Sequence, residues 1–154
     1  MIQRIQSLYL LLAAALVATT LFLPLALFSD GSSEFVLKAF AIGDSNGTAA
    51  QSTVYMGILL AVSALVPFVT IFLFRNRMLQ VRLCVAEIVL LVGCLIMMGI
   101  YCYLGYRTFS ALPFGVCNFN VWLIMPLIAL VFVWLAARAI FKDELLVRSL
   151  DRIR

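Results

Sequence analysis

Residues 83–104, LCVAEIVLLVGCLIMMGIYCYL, decide the fold of this chain, because they hold a single charged side chain, Glu87. A helix needs about 20 apolar residues to cross roughly 30 Å of hydrocarbon. Lipid offers the backbone no hydrogen-bond partners, so a spanning segment must be a helix or part of a closed barrel. Barrel strands alternate in polarity over about ten residues, and this stretch does not. It is therefore predicted to be a transmembrane helix.

Three more apolar stretches of similar length lie at residues 8–28, 55–74 and 121–140. The first resembles a secretory signal but continues too far to be one, and is interpreted as a retained span. Hydrophobic residues make up 66% of the chain and charged residues 12%, against roughly 45 to 50% and about 25% in soluble domains. The sequence therefore predicts one all-α membrane domain over residues 1–154. We expect an up-down four-helix bundle, because short links make consecutive helices antiparallel neighbours.

The basic residues predict the orientation of the bundle, because Lys and Arg in short loops stay on the cytoplasmic side. Only Lys38 and Arg107 fall on the predicted outer side, so both termini are expected to be cytoplasmic. The net charge of +4 is spread along the membrane edges, which favours contact with the lipid bilayer and its headgroups rather than with nucleic acid. The predicted cytoplasmic side holds Arg4, Arg75, Arg77, Arg82, Arg138, Lys142, Arg148, Arg152 and Arg154.

The outer connectors and the prolines indicate where the chain turns and where helices can kink. Residues 29–53 are rich in turn-forming residues around an apolar core at residues 35–42, which predicts a short hairpin or a surface-lying segment packed over the bundle. The second outer connector is shorter and turn-rich. Pro24, Pro67 and Pro126 fall inside predicted spans, where a missing amide can kink a helix.

Histidine is absent, which removes the commonest general base and metal ligand. The four cysteines lack the C-x-x-C spacing of redox and metal motifs, so no catalytic residue, metal site or cofactor is expected. Cys84 and Cys94 are interpreted as small packing residues. Cys102 and Cys117 both fall at the predicted outer end and are the candidate pair for a disulfide.

Glu87 is the one acid inside a predicted span, which makes it a functional hypothesis by default. It lies five residues past Arg82, about 7 Å deeper along a helix. Arg138 is expected at a similar depth in the fourth helix. Three interpretations stay open: an intramembrane ion pair of Glu87 with Arg138, snorkelling of both side chains, or a site for a proton or substrate.

The tail at residues 141–154 is predicted to continue the fourth helix as a short amphipathic extension. Leu146, Leu150 and Ile153 recur at spacings of four and three, which places them on one face. That face is the candidate docking surface for a partner. The amino terminus repeats the pattern on a smaller scale, and the two ends are expected to pack together, to lie on the membrane or to bind a partner.

Three segments, at residues 1–11, 76–83 and 143–154, resemble a family of four-span inner-membrane proteins of Bacteroidota classed as a domain of unknown function, DUF4293. The likeness covers nearly the whole chain and is most specific in these predicted cytoplasmic segments. It implies a bacterial inner membrane and carries over no activity and no catalytic residue.

These observations favour a non-enzymatic accessory or structural subunit that binds another membrane protein, with the cytoplasmic face as the expected contact. The alternative is a small transporter or channel. Four helices rarely enclose a path alone, so this alternative requires a homo-oligomer. A membrane enzyme is less favoured, because such enzymes usually need a cluster of intramembrane polar groups.

Overall fold

A computed structural model describes residues 2–29, 34–44, 49–73, 77–110 and 116–151 of the chain. Its four long helices are α1 (Ile2–Phe22), α2 (Val54–Phe72), α3 (Arg77–Ser110) and α4 (Met125–Asp151). A short 3-10 turn, Val121–Ile124, leads into α4. Each helix contains an apolar segment long enough to cross a membrane, between 18 and 31 residues in length. The predicted all-α, four-helix integral membrane architecture is confirmed.

The helices form a ring in which each packs against two others: α1 against α2 and α4, and α3 against α2 and α4. Consecutive helices run in opposite directions, so the start of α1 and the end of α4 lie at one end of the bundle, called here the terminal end. One face of each helix is buried, and the opposite face exposes apolar side chains, among them Phe68 on α2 and Val89 on α3. Such outward apolar faces match a lipid environment.

The first helix is shorter at its carboxyl end than predicted, since α1 ends at Phe22 and residues 26–29 form a strand. Pro24 explains the difference, because it lacks an N–H and disfavours helical backbone in the residue before it. The expected kink at Pro24 is therefore wrong. Pro126 lies in the first turn of α4, where a missing amide costs little. Pro67 stands inside α2, as predicted.

At the other end, called here the sheet end, five short antiparallel strands form one sheet in the order β4-β3-β2-β1-β5. The first connector therefore contains the expected hairpin, extended to three strands, and the residues after Pro24 add a fourth. The second connector adds β5 beside β1, with Cys117 opposite Phe28, which the sequence analysis did not predict. The strands are β1 (Ala26–Ser29), β2 (Glu34–Leu37), β3 (Ala41–Asp44), β4 (Ala49–Ser52) and β5 (Val116–Phe119).

The sheet closes its end of the bundle by close apolar packing. Phe28 is 1% exposed. A Cβ atom placed on Gly105 of α3 would lie only 2.4 Å from Phe28 Cζ, so the Phe28 ring occupies the space that a side chain at Gly105 would need. The ring of Phe40 contacts Gly57 of α2 in a similar way. Glycine is required at Gly105 because any side chain there would overlap a buried ring. Two helices are thus shaped to receive aromatic rings from the sheet segment.

Candidate functional site

Glu87 is the most unusual residue of the described structure. Its side chain is 1% exposed, and both carboxyl oxygens are buried without a hydrogen-bond partner. It lies ten residues after Arg77, the first residue of α3, which is about 15 Å along the helix at about 1.5 Å per residue. Buried polar groups in proteins are nearly always hydrogen-bonded, so an unpartnered pair of oxygens calls for a functional explanation.

The buried stripes of the other three helices bring no ionisable group towards Glu87. On the buried face of α3, the thiol of Cys84 lies three residues before Glu87 and that of Cys94 seven residues after it. A charged Glu87 would thus have no described counter-charge. The buried residues are Gln6, Leu10, Ala13, Val17 and Thr20 on α1; Met56, Gly57, Leu60, Ser63, Pro67 and Thr70 on α2; and Pro126, Ala129, Val133, Ala136 and Ile140 on α4.

The buried hydroxyl groups of the bundle do have partners. Thr20 and Thr70 donate to backbone carbonyls one turn earlier in their own helices, at 2.8 and 2.7 Å. Ser63 donates to the Leu60 carbonyl oxygen at 3.4 Å and accepts a weak hydrogen bond from the Cys94 thiol at 3.9 Å. These hydroxyl groups find acceptors within their own helices, whereas the carboxyl oxygens of Glu87 have no partner among the described residues.

The structure does not make the predicted ion pair between Glu87 and Arg138. Arg138 is exposed on α4, with its guanidinium 5.6 Å from the centre of the Trp134 ring. The reason lies in the helical period, because Ala136 and Ile140 face the core and Arg138 is two positions from each. Two positions correspond to about 200° around an α-helix, so Arg138 points away from the core. The ion-pair interpretation is wrong for the described residues.

The candidate disulfide is also not formed, since Cys102 and Cys117 are both free thiols. Cys102 is buried on the inward face of α3, whereas strand β5 holds Cys117 opposite Phe28 of β1. The sequence analysis described the second connector as short and turn-rich and predicted no strand there. Pairing of β5 with β1 instead fixes the position of Cys117 independently of any bond to Cys102.

Two side-chain hydrogen bonds tie the terminal end together. Gln6 of α1 donates to Asp143 of α4 at 2.5 Å, and Gln80 of α3 donates to the Thr70 carbonyl oxygen of α2 at 3.1 Å. The described parts of the two terminal helices therefore pack together here, which agrees with one of the three arrangements left open above. The sequence analysis did not single out Gln6 or Gln80. The sequence did contain an indication that Gln6 is buried, because its spacing places it on the same helical face as Leu10, Ala13 and Val17.

The predicted docking face lies only partly within the described side chains. Leu146 is half-exposed, whereas the side chain of Leu150 and all of Ile153 lie outside the described residues. Helix α4 does continue to Asp151, as the tail pattern indicated. Its role in docking stays a prediction.

The chemistry open to this site is narrow. Among the described residues, no three His, Cys, Asp or Glu side chains come together as metal ligands. An isolated carboxyl in an apolar core can bind a proton, or a hydrogen-bonding group that reaches it, without further ligands. The polar residues of the terminal end, Gln6, Gln80 and Asp143, lie on the side of Glu87 that is nearer the termini.

Comparison with known proteins identifies a family and no relative of established function. A family model described as "Domain of unknown function (DUF4293)" matches residues 2–153. Comparison with curated proteins gave no match. Because the matched segment covers nearly the whole chain, and the four-span architecture expected from the resemblance is present, the protein belongs to the DUF4293 family.

Proposed function

We propose that this protein is a non-enzymatic accessory or structural subunit of a bacterial inner membrane, and that it binds another membrane protein through the outward face of α4. The observation that carries the proposal is the position of Arg138. Its cationic side chain is exposed on a membrane-spanning helix, and its guanidinium lies 5.6 Å from the centre of the Trp134 ring.

Arg138 belongs to a continuous surface, called here the α4 stripe, formed by Trp134, Arg138, Phe141 and Leu145. Their spacings of four, three and four residues place them on one side of the helix. The three apolar members are each about half-exposed: Trp134 50%, Phe141 52% and Leu145 52%. The stripe combines large contact area with a single fixed positive charge near the terminal end.

The partner that fits this surface is a transmembrane helix with an Asp or Glu side chain near the same membrane interface. A cation that faces lipid is costly, and a carboxylate on a neighbouring helix offsets that cost while fixing the register of the contact. The Trp134 ring already orients the guanidinium by a cation–π contact. Anionic lipid headgroups are the competing partner, because a long Arg side chain can reach them.

The test is site-specific photo-crosslinking in native membranes, with the photoreactive residue at Phe141 and the crosslinked peptide identified by mass spectrometry. We expect a membrane-spanning peptide with an acidic residue near one end. Arg138→Gln should abolish the crosslink, whereas Arg107→Gln, which removes an exposed cation near the sheet end, should leave it unchanged.

A charge exchange then separates a protein partner from lipid. Arg138→Glu should lose the crosslink, and an Asp→Lys or Glu→Lys change at the identified acid should restore it. Crosslinks to lipid alone, or a protein crosslink insensitive to Arg138→Gln, would contradict the proposal. Deletion of residues 145–154 tests separately whether the cytoplasmic tail adds to the contact.

The proposed orientation rests on the distribution of basic residues. Carboxyl-terminal fusions test it: a fluorescent protein that matures in the cytoplasm should be bright, and a phosphatase that needs export should be inactive. The reverse pattern would place the termini outside.

A small oligomeric transporter or channel is the second candidate, and the unpartnered carboxyl of Glu87 is the observation that favours it. The apolar packing of Phe28 against Gly105 at the sheet end opposes a continuous path through one copy. Flux assays with purified protein in liposomes distinguish the two candidates. An accessory subunit should move no solute, whereas a transporter should lose flux in Glu87→Gln.

A further inference from the structure

We propose that Glu87 is an intramembrane proton-binding site that exchanges its proton through the terminal end of the bundle. This inference goes beyond the proposed function and does not depend on any partner. It combines three observations: the isolation of the carboxyl, the absence of other ligands around it, and the unequal polarity of the two ends of the bundle.

The isolation of Glu87 favours a bound proton. Both oxygens are buried and without a hydrogen-bond partner, so an ionised carboxylate would lose its hydration and gain nothing in return. A protonated carboxyl carries no net charge and loses far less on burial. Charges buried without a partner are among the costliest arrangements in proteins, and the neutral acid is the form that fits this site.

A proton fits the surroundings better than a metal cation does. The ionisable groups that accompany Glu87 on α3 are the thiols of Cys84 and Cys94. The fully buried residues described on α1 and α2 include no ionisable side chain; the half-buried Tyr9 of α1 packs against the core, and Asp143 of α4 lies at the terminal end and accepts from Gln6. No described group of three potential metal ligands exists. A proton needs none of these additional ligands.

The terminal end offers polar groups on the way to Glu87. On the inward side of α3, Gln80 and Cys84 precede Glu87 at helical spacing, and Gln80 donates to the Thr70 carbonyl oxygen. The hydrogen bond of Gln6 to the half-buried Asp143 adds polar groups at the same end. Amide and carboxyl groups can hold water, which carries protons between them.

The route towards the sheet end is apolar by comparison. Beyond Glu87, the inward face of α3 carries apolar residues and two thiols, and the ring of Phe28 fills the space at its end; these buried residues are Leu91, Cys94, Met98, Cys102 and Gly105. The Cys94 thiol and the Ser63 hydroxyl are the polar side chains at mid-depth, and they bond to each other. We therefore expect Glu87 to exchange its proton with water at the terminal end only. Because the neutral carboxyl fits the buried site and the carboxylate does not, the free energy of unfolding should fall as the pH at that end rises.

Infrared spectroscopy of the protein in liposomes of ether lipids, which lack ester carbonyl groups, tests protonation directly. A protonated carboxyl has a C=O stretching band that a carboxylate lacks. We expect this band at neutral pH and its loss in Glu87→Gln. The matched control Glu34→Gln, which changes an exposed acid of β2, should retain it. A neutral-pH band that survives in folded Glu87→Gln, or no such band in the wild type, would overturn the proposal.

The direction of exchange is tested in liposomes with uniform protein orientation, established by protease access to a terminal tag. Raising the pH only on the side of the termini should weaken the band. Raising it only on the opposite side should leave the band unchanged on the same time scale. The opposite result would overturn the assigned route.

A chemical probe gives an independent readout on the wild-type chain, so it does not rely on a variant that folds. A protonated carboxyl adds its O–H across the N=C=N group of a lipid-soluble carbodiimide to form an O-acylisourea, which rearranges to a stable N-acylurea without loss of atoms. Mass spectrometry should place the adduct on Glu87, with less adduct at higher pH on the terminal side. A folded protein that is labelled at Asp143 or Glu34 and not at Glu87 would contradict the proposal.

Discussion

The two ends of the bundle are closed by different interactions. At the sheet end, strands drawn from both connectors bury Phe28, Leu37 and Ile42, and an aromatic ring fits against a glycine on α3. At the terminal end, two side-chain hydrogen bonds join neighbouring helices: Gln6 donates to Asp143, and Gln80 donates to a backbone carbonyl of α2. The sheet end thus excludes water by shape, whereas the terminal end keeps groups that can exchange with water.

This difference bears on both proposals. In a closely packed region, a substitution that changes side-chain volume has a large effect on stability. A side-chain hydrogen bond contributes only about 0.5 to 1.5 kcal/mol to the free energy of unfolding. Stability is therefore expected to depend most on the sheet end. Arg138 and the route to Glu87 both lie towards the more adaptable terminal end.

The largest effect is expected for Phe28→Ala, which empties the buried ring site beside Gly105. Loss of a buried Phe side chain destabilises proteins by about 3 to 5 kcal/mol. Thermal unfolding in detergent measures the change, and Phe119→Ala on the exposed side of β5 is the control, with little effect expected. Equal, small effects for the two variants would show that the sheet does not close the bundle.

A smaller loss, about 1 to 3 kcal/mol, is expected for Gly105→Ala, because the added methyl group overlaps the Phe28 ring. Gly99→Ala is a matched control in the same helix, since a Cβ there meets nothing within 4 Å. The control should be neutral or stabilising by up to about 1 kcal/mol, because Ala favours helices over Gly. Denaturation curves of both variants check the contrast, and a reversed order would refute the packing described here.

At the terminal end, Gln6→Leu should cost about 1 kcal/mol, because it removes a hydrogen bond to the Asp143 carboxylate in a partly exposed position. Protease cleavage near the amino terminus should also become faster, since α1 is held to α4 by this contact. Gln51→Leu, on an exposed strand position, serves as the control. A cost as large as that of Phe28→Ala would mean that the terminal end is as constrained as the sheet end.

The smallest effect, about 0.5 to 1 kcal/mol, is expected for Thr53→Val at the start of α2. The buried Thr53 hydroxyl lies 3.2 Å from the carbonyl oxygens of both Lys38 and Ala39, and Val keeps the shape while it removes the donor. Thr108→Val, whose exposed hydroxyl bonds within its own helix, is the control. A loss greater than that of Gln6→Leu would show that a polar contact also supports the sheet end.

Much of this architecture could be predicted from local sequence. Apolar length predicted the four helices, and turn residues around residues 35–42 predicted a hairpin that forms as β2 and β3. The end of α1 was misplaced because hydropathy does not distinguish an apolar strand from a helix, although Pro24 marked the boundary. Pairing of β5 with β1 was missed because it joins residues about ninety positions apart, and nothing in either segment alone indicates the other.

The candidate site was also predicted in part by the sequence and missed in part. Glu87 stood out in the sequence because a charged residue in a long apolar run is visible without any structure. Its lack of a partner was not visible, because the partner depended on how α4 is rotated relative to α3. In the structure, Ala136 and Ile140 face the core and Arg138 faces outward. Glu87 and Arg138 are therefore apart, although their similar depth in the membrane had suggested an ion pair.

The sequence by itself determined that the chain crosses a membrane as four helices, because the bilayer sets the required length and forces each backbone to satisfy its own hydrogen bonds. Only the tertiary structure decided which side chains meet. Helix rotation left Glu87 without a counter-charge among the described side chains, and strand pairing across distant connectors closed one end of the bundle. These outcomes depend on steric fit between segments far apart in the chain, such as the Phe28 ring against Gly105, and no local pattern contains that information.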